Sequence, residues 1–181
     1  MSKFRLVGLT SIKYGEVNTT SYVMTTTLTT ISNIVPGTAV LAMEMPTNTN
    51  YFTEDSDYPD IVVPEQGRKM IEWSTRDMQA SNLTLALGGS AVSNTTAGTF
   101  VWSAPTASIG VVEKAIEAVS KTYSGKTFTF AIPVANLVGG GDLRFSNKGA
   151  TEPGVLNFSA EVVMGEDANG DNVVPITATT S

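Results

Sequence analysis

The chain has 181 residues, of which 41% are hydrophobic and only 15% charged, a length that suits the single domain read here as residues 1–181. It contains neither histidine nor cysteine, which excludes disulfides, thiolate metal sites and every Ser-His or Cys-His nucleophile pair. With 17 acidic against 11 basic residues, a net charge of −6 and no basic run, it lacks the cations that grip DNA or RNA through phosphates.

The elements follow from period-two alternation. In KFRLVGLTSIKY, Phe4, Leu6 and Ile12 share one face, opposite Arg5 and Lys13. SYVMTTTLTTI sets Tyr22, Met24 and Leu28 against Thr25, Thr27 and Thr29. Threonine is β-branched and stiff at χ1, so this run predicts a strand. TAVLAMEM is a short apolar run between Pro36-Gly37 and Pro46. Residues 46–67, PTNTNYFTEDSDYPDIVVPEQG, read as one long extended loop, and a structureless connection of that length is usually functional or disordered. RKMIEWSTR then alternates Lys69, Ile71 and Trp73 with Met70, Glu72 and Ser74. DMQASNLTLALGG predicts a short helix, with Asp77 or Ser81 as N-cap, Ala80, Leu83 and Leu87 at helical spacing, and Gly88-Gly89 as a stop.

VVEKAIEAVSKTY reads two ways. Val112, Ile116, Val119 and Tyr123 fit a helical stripe, yet the stretch also fits a hairpin with SGK and KTFTFAIP, and periodicity leaves both open. KTFTFAIP groups Phe128, Phe130 and Ile132, and VLNFSAEVVM places Leu156, Phe158, Ala160, Val162 and Met164 on one face. NVVPIT follows the turn EDANGD, which predicts a terminal hairpin. The fold class is therefore mainly β: an antiparallel β-sandwich or barrel with a flanking short α-helix and one long extended loop. No apolar leader opens the chain and no run approaches the roughly 20 apolar residues of a membrane span, so the expected place of synthesis is the cytoplasm.

Three motifs invite chemistry and fail on spacing. SKTYSGKT ends like a phosphate-binding loop, but Ser120 stands where its first glycine belongs and a strand follows in place of a helix; Ser124-Gly125-Lys126 reads as a turn. VGGGD at 138–142 lacks the dinucleotide spacing and reads as a flexible connection. EDANGDN offers Asp167, Asn169 and Asp171 at alternate positions, but its glycine falls at the fourth place of a calcium loop and Ala178 occupies the twelfth, so it reads as a turn.

The acidic stretch FTEDSDYPDIVVPEQG holds Glu54, Asp55, Asp57, Asp60 and Glu65. A calcium site would need a glycine turn, whereas Pro59 stiffens the middle. A hydrolase would use two of Glu54, Asp55, Asp57 and Asp60 in an aromatic-lined cleft. A carbohydrate-binding β-sandwich would stack sugars on Tyr51, Tyr58 and Trp73 while the acids hold Ca²⁺. The reading favoured here is a solvated or interface arm made of Tyr51, Phe52, Glu54, Asp55, Asp57, Tyr58, Pro59 and Asp60, with no cofactor, no metal and no catalytic residue.

The order of features resembles the tail tube protein (major tail protein) of long-tailed bacteriophages. The resemblance rests on Asp57-Tyr58-Pro59 in the long loop, the polar turn Ser74-Thr75-Arg76-Asp77, the helix from Leu83 closing on Gly89, and Gly125-Lys126-Thr127-Phe128-Thr129-Phe130-Ala131-Ile132-Pro133 followed by Ala135-Asn136. It covers most of residues 20–176 and favours a strand over 112–122. It implies a non-enzymatic virion subunit forming homohexameric rings that stack head-to-tail into a tube. The partners it implies are copies of itself and the tape measure, tail terminator and baseplate proteins. DNA would pass through an acidic β-barrel lumen without specific binding, and residues 46–67 would be the inter-subunit loop. Strands over 22–31, 38–45 and 68–76 are the candidates for lining the lumen. A head decoration or baseplate protein is the rival within the same class.

Overall fold

The computed structural model describes residues 8–52, 54, 58, 61–65, 67–93, 99–106, 111–142, 154–165 and 169–181. The described elements are β1 (Leu9–Gly15), β2 (Thr29–Ile31), β3 (Val40–Met43), β4 (Thr47–Tyr51), β5 (Ile61–Glu65), β6 (Lys69–Thr75), α1 (Ala80–Leu87), β7 (Ser90–Ser93), β8 (Phe100–Ser103), β9 (Val112–Ser120), β10 (Phe128–Asp142), β11 (Val155–Val162) and β12 (Thr177–Thr180). The chain is mainly β, with antiparallel pairing and one short helix among the described residues.

Eight strands form one sheet in the order β2-β1-β9-β10-β11-β6-β3, with β12 also paired to β10. A bridge between Ile34 and Thr75 ties the segment after β2 to β6, so the sheet curls and its first edge approaches its last. The curl encloses the core. Ile12, Ile31, Ile71, Trp73, Ile116, Ile132 and Leu156 are all almost wholly buried. Trp73 and Phe158 are register partners on β6 and β11, and their rings stack with centroids 5.1 Å apart. Such a cross-strand aromatic pair pins the register as well as burying area.

The alternation in β11 buries Leu156, Phe158 and Ala160 as the sequence predicts, while Val162 is half-buried and Met164 is exposed. In β10 the alternation changes phase. Ile132 pairs with Ile116 but Ala135 pairs with Lys114, so β10 carries one extra residue across Pro133-Val134. This is a β-bulge, and proline, which has no N–H to give the ladder, is tolerated there. Before the bulge the even-numbered Phe130 and Ile132 point inward; after it the odd-numbered Ala135 and Leu137 do.

Several expectations are corrected. The run at 22–28 is not strand: only Thr29–Ile31 pairs, and Tyr22 sits at φ 50. The glycines of 138–142 are not a flexible connection but the end of β10, paired with β11. A Cβ on Gly139 would stand 2.4 Å from the Ala86 Cα, so the missing side chain lets α1 lie directly on the sheet. The helix starts after Gln79 with no side-chain cap. Asp77 instead accepts a bond from the Ser32 N–H at 3.3 Å, joining β6 to the β2 loop. Residues 112–120 are strand, and the Ser124-Gly125 turn joins β9 to β10. The terminal strand β12 pairs with β10, while across the expected terminal turn the Val173 N–H donates to the Gly165 carbonyl at 2.9 Å. The extended loop is itself a hairpin: β4 and β5 pair from Thr47↔Glu65 to Tyr51↔Ile61.

Candidate functional site

The β4–β5 hairpin pairs with no other strand among the described residues. In its register Thr49 faces Val63 and Tyr51 faces Ile61 on one side, while Asn50 faces Val62 and Asn48 faces Pro64 on the other. Thr49 Oγ1 donates to Glu65 Oε1 at 2.9 Å. Val-Val and Ile are strand formers, which is why this segment pairs at all. Yet neither side is covered: Tyr51 is 55% exposed, Phe52 59%, Ile61 59% and Val62 49%. A lone two-stranded hairpin is marginal in water. An arm with aromatic and β-branched residues bare on both sides has the make-up of a contact surface.

Of the residues read from sequence as the arm, Tyr51, Phe52, Glu54 and Tyr58 lie on it and are exposed. Asp55, Asp57, Pro59 and Asp60 fall outside the described residues. Trp73, by contrast, is 1% exposed in the core, so the sugar-stacking set of Tyr51, Tyr58 and Trp73 does not assemble. Among the described residues no three acidic side chains gather as a metal site would require. The three motif-like stretches are also placed. Ser124 and Gly125 have φ of 49° and 74° in a tight hairpin turn, the glycines of 138–142 end β10, and Asn169 and Gly170 lie in a surface turn.

A second feature escaped the sequence. A cleft of about 680 Å³ opens between the first turns of α1 and the inner rim of the sheet, lined by Tyr14, Gln79, Ala80, Ser81, Thr84, Leu85, Ala91, Val112 and Lys114. One wall is apolar, from Leu85, Ala91 and Val112. The other end is polar. Lys114 is 9% exposed, and its Nζ donates to Glu16 Oε1. Glu16 itself has a side chain 84% exposed. Burial raises the pKa of the Tyr14 hydroxyl above its usual 10.0, a bond with Ser81 acts in the opposite sense, and the Glu16 charge adds to the rise. The β7–β8 hairpin that supplies Ala91 is held to the helix by Trp102 Nε1, which donates to the Gly88 carbonyl at 2.9 Å. The expectations for residues 90–103 include no such hairpin, because four-residue strands of mixed composition carry little periodic signal.

No helix among the described residues is long and apolar enough to cross a membrane. The chain matches no protein-family model and no curated protein sequence.

Proposed function

We propose that this chain is a non-enzymatic structural subunit that assembles with copies of itself, and specifically the tube subunit of a long-tailed phage tail. In this reading six copies form a ring, rings stack into a tube, and DNA passes through the lumen during ejection. The tape measure, tail terminator and baseplate proteins of the virion would be its further partners. The observation that carries the reading is the arm: a hairpin attached to an antiparallel β-domain by one end, with Tyr51, Phe52, Ile61 and Val62 all about half-exposed or more. The resemblance to tail tube proteins supplies the particular assembly.

Negative-stain electron microscopy of the purified protein tests this, with rings or tubes expected. The arm variant is equally direct. Thr47 and Glu65 are register partners, so residues 48–64 can be replaced by Asn-Gly to close the gap with a tight turn. Stacking should be lost while the far-ultraviolet β signal stays. Unfolding on that replacement would show that the arm belongs to the core. The exposed Tyr51, Phe52 and Tyr58 also suit a carbohydrate-binding surface. A strictly monomeric protein whose melting rises with Ca²⁺ or sugar would favour that second reading.

A further inference from the structure

The geometry points to the cleft beside α1 as the seat for the arm of a second copy. This rests on the self-assembly reading and adds the partner surface that reading leaves open. Two halves of a contact are present in one chain. The arm is an aromatic and acidic segment: residues 52–67 carry five carboxylates and no base. The cleft is concave and has the matching pair of features. Its apolar wall, Leu85, Ala91 and Val112, offers a place for a Phe or Tyr side chain. At its polar end Lys114 is a nearly buried cation.

Charge decides the orientation. Lys114 bonds only Glu16 among the described residues, through one of the three donors on its ammonium. Glu16 is 84% exposed, so water can take it over at little cost when another carboxylate arrives. The helix adds to the field in the same sense. Its first turn carries no acidic residue and its N-cap no side-chain bond, leaving N–H groups of partial positive charge at the rim formed by Gln79 and Ala80. A volume of about 680 Å³ is in the range of pockets that hold a bound group of several side chains. Phe52 is thus assigned to the apolar wall and Glu54 to Lys114. The contact is heterologous, arm to cleft, and so repeats along an assembly.

The absence of cysteine makes the test clean. Tyr51→Cys, which leaves the Phe52 anchor in place, and Ala91→Cys are made in separate chains, mixed, and treated with a short thiol–thiol cross-linker. The expected product is a covalent heterodimer, and the double variant should give a ladder of covalent oligomers. Lys114→Met, which keeps the apolar stem, should weaken association about tenfold, the loss of roughly one hydrogen bond to a charged group. Circular dichroism of that variant confirms that the fold is retained. Rings or tubes that form normally but give no heterodimer would overturn the cleft assignment and leave the tube reading standing. A double variant linked only within one chain would show the arm folding onto its own cleft, and would overturn the assignment as well. A protein that stays monomeric at every concentration would overturn both.

Discussion

Gly139 shows how a single residue sets the position of α1. The helix backbone at Ala86 occupies the space a side chain on Gly139 would need, with a contact of 2.4 Å to any Cβ placed there. Gly139→Ala must push the helix off the sheet, and overpacking of this kind costs about 1–3 kcal/mol. The expected result is a lower urea midpoint with an unchanged slope. Tyr14 lines the cleft beside the same helix, and burial holds its folded pKa above the 10.0 of an exposed tyrosine. Its contribution is full below pH 10, where both folded and unfolded chains carry it neutral. Above that, the unfolded chain ionises first, and stability falls as pH rises toward the folded pKa. Tyr14→Phe should flatten this alkaline loss in melting curves taken across that range, with little change at neutral pH.

At the scale of elements, the β9–β10 hairpin depends on its turn. Tyr123 and Lys126 exchange bonds of 2.9 and 3.0 Å, and both central residues, Ser124 and Gly125, have positive φ. This is the type I′ geometry, for which Asn-Gly is the preferred pair. Ser124→Asn should raise the melting temperature, by about 0.5 kcal/mol of stability, whereas Gly125→Ala should lower it by about 1 kcal/mol. This hairpin was legible as one of two options, because SGK names a turn whatever the stripe in 112–123 says. The inward faces of β6 and β11 were legible too, since Ile71, Trp73, Leu156 and Phe158 alternate without interruption. What failed to show had non-local causes. Three glycines read as flexible until Ala86 is seen pressing on the first of them. The Thr-rich run at 22–28 has the composition of a strand, but among the described residues no partner strand is offered to it, and pairing rather than propensity decides. The arm was read as an extended loop because its strands expose both sides and so lack the alternation that burial imposes. Its exposure, which hid it as a hairpin, is the feature on which the proposed contact role rests. The cleft was invisible because Tyr14, Ser81 and Lys114 come together from three distant segments.

For the whole molecule the question is whether copies carrying −6 each can associate. A domain of this length has a diameter on the order of 40 Å from the usual scaling of size with residue number. Two such charges at that separation repel by roughly 4 kcal/mol in unscreened water. At about 10 mM salt the Debye length is near 30 Å, and about 1 kcal/mol of that repulsion survives for each neighbour. At about 0.15 M it is near 8 Å and almost none survives. A contact between Glu54 and Lys114 would be screened far less, because Lys114 is only 9% exposed. Burial of Tyr51, Phe52 and Ile61 does not weaken with salt either. Raising salt from about 10 to 150 mM should therefore promote assembly, by about fivefold in the association constant for each contact. Sedimentation velocity at fixed protein concentration reads this directly. Dissociation on adding salt would mean that exposed ion pairs, and not the apolar arm, hold the copies together.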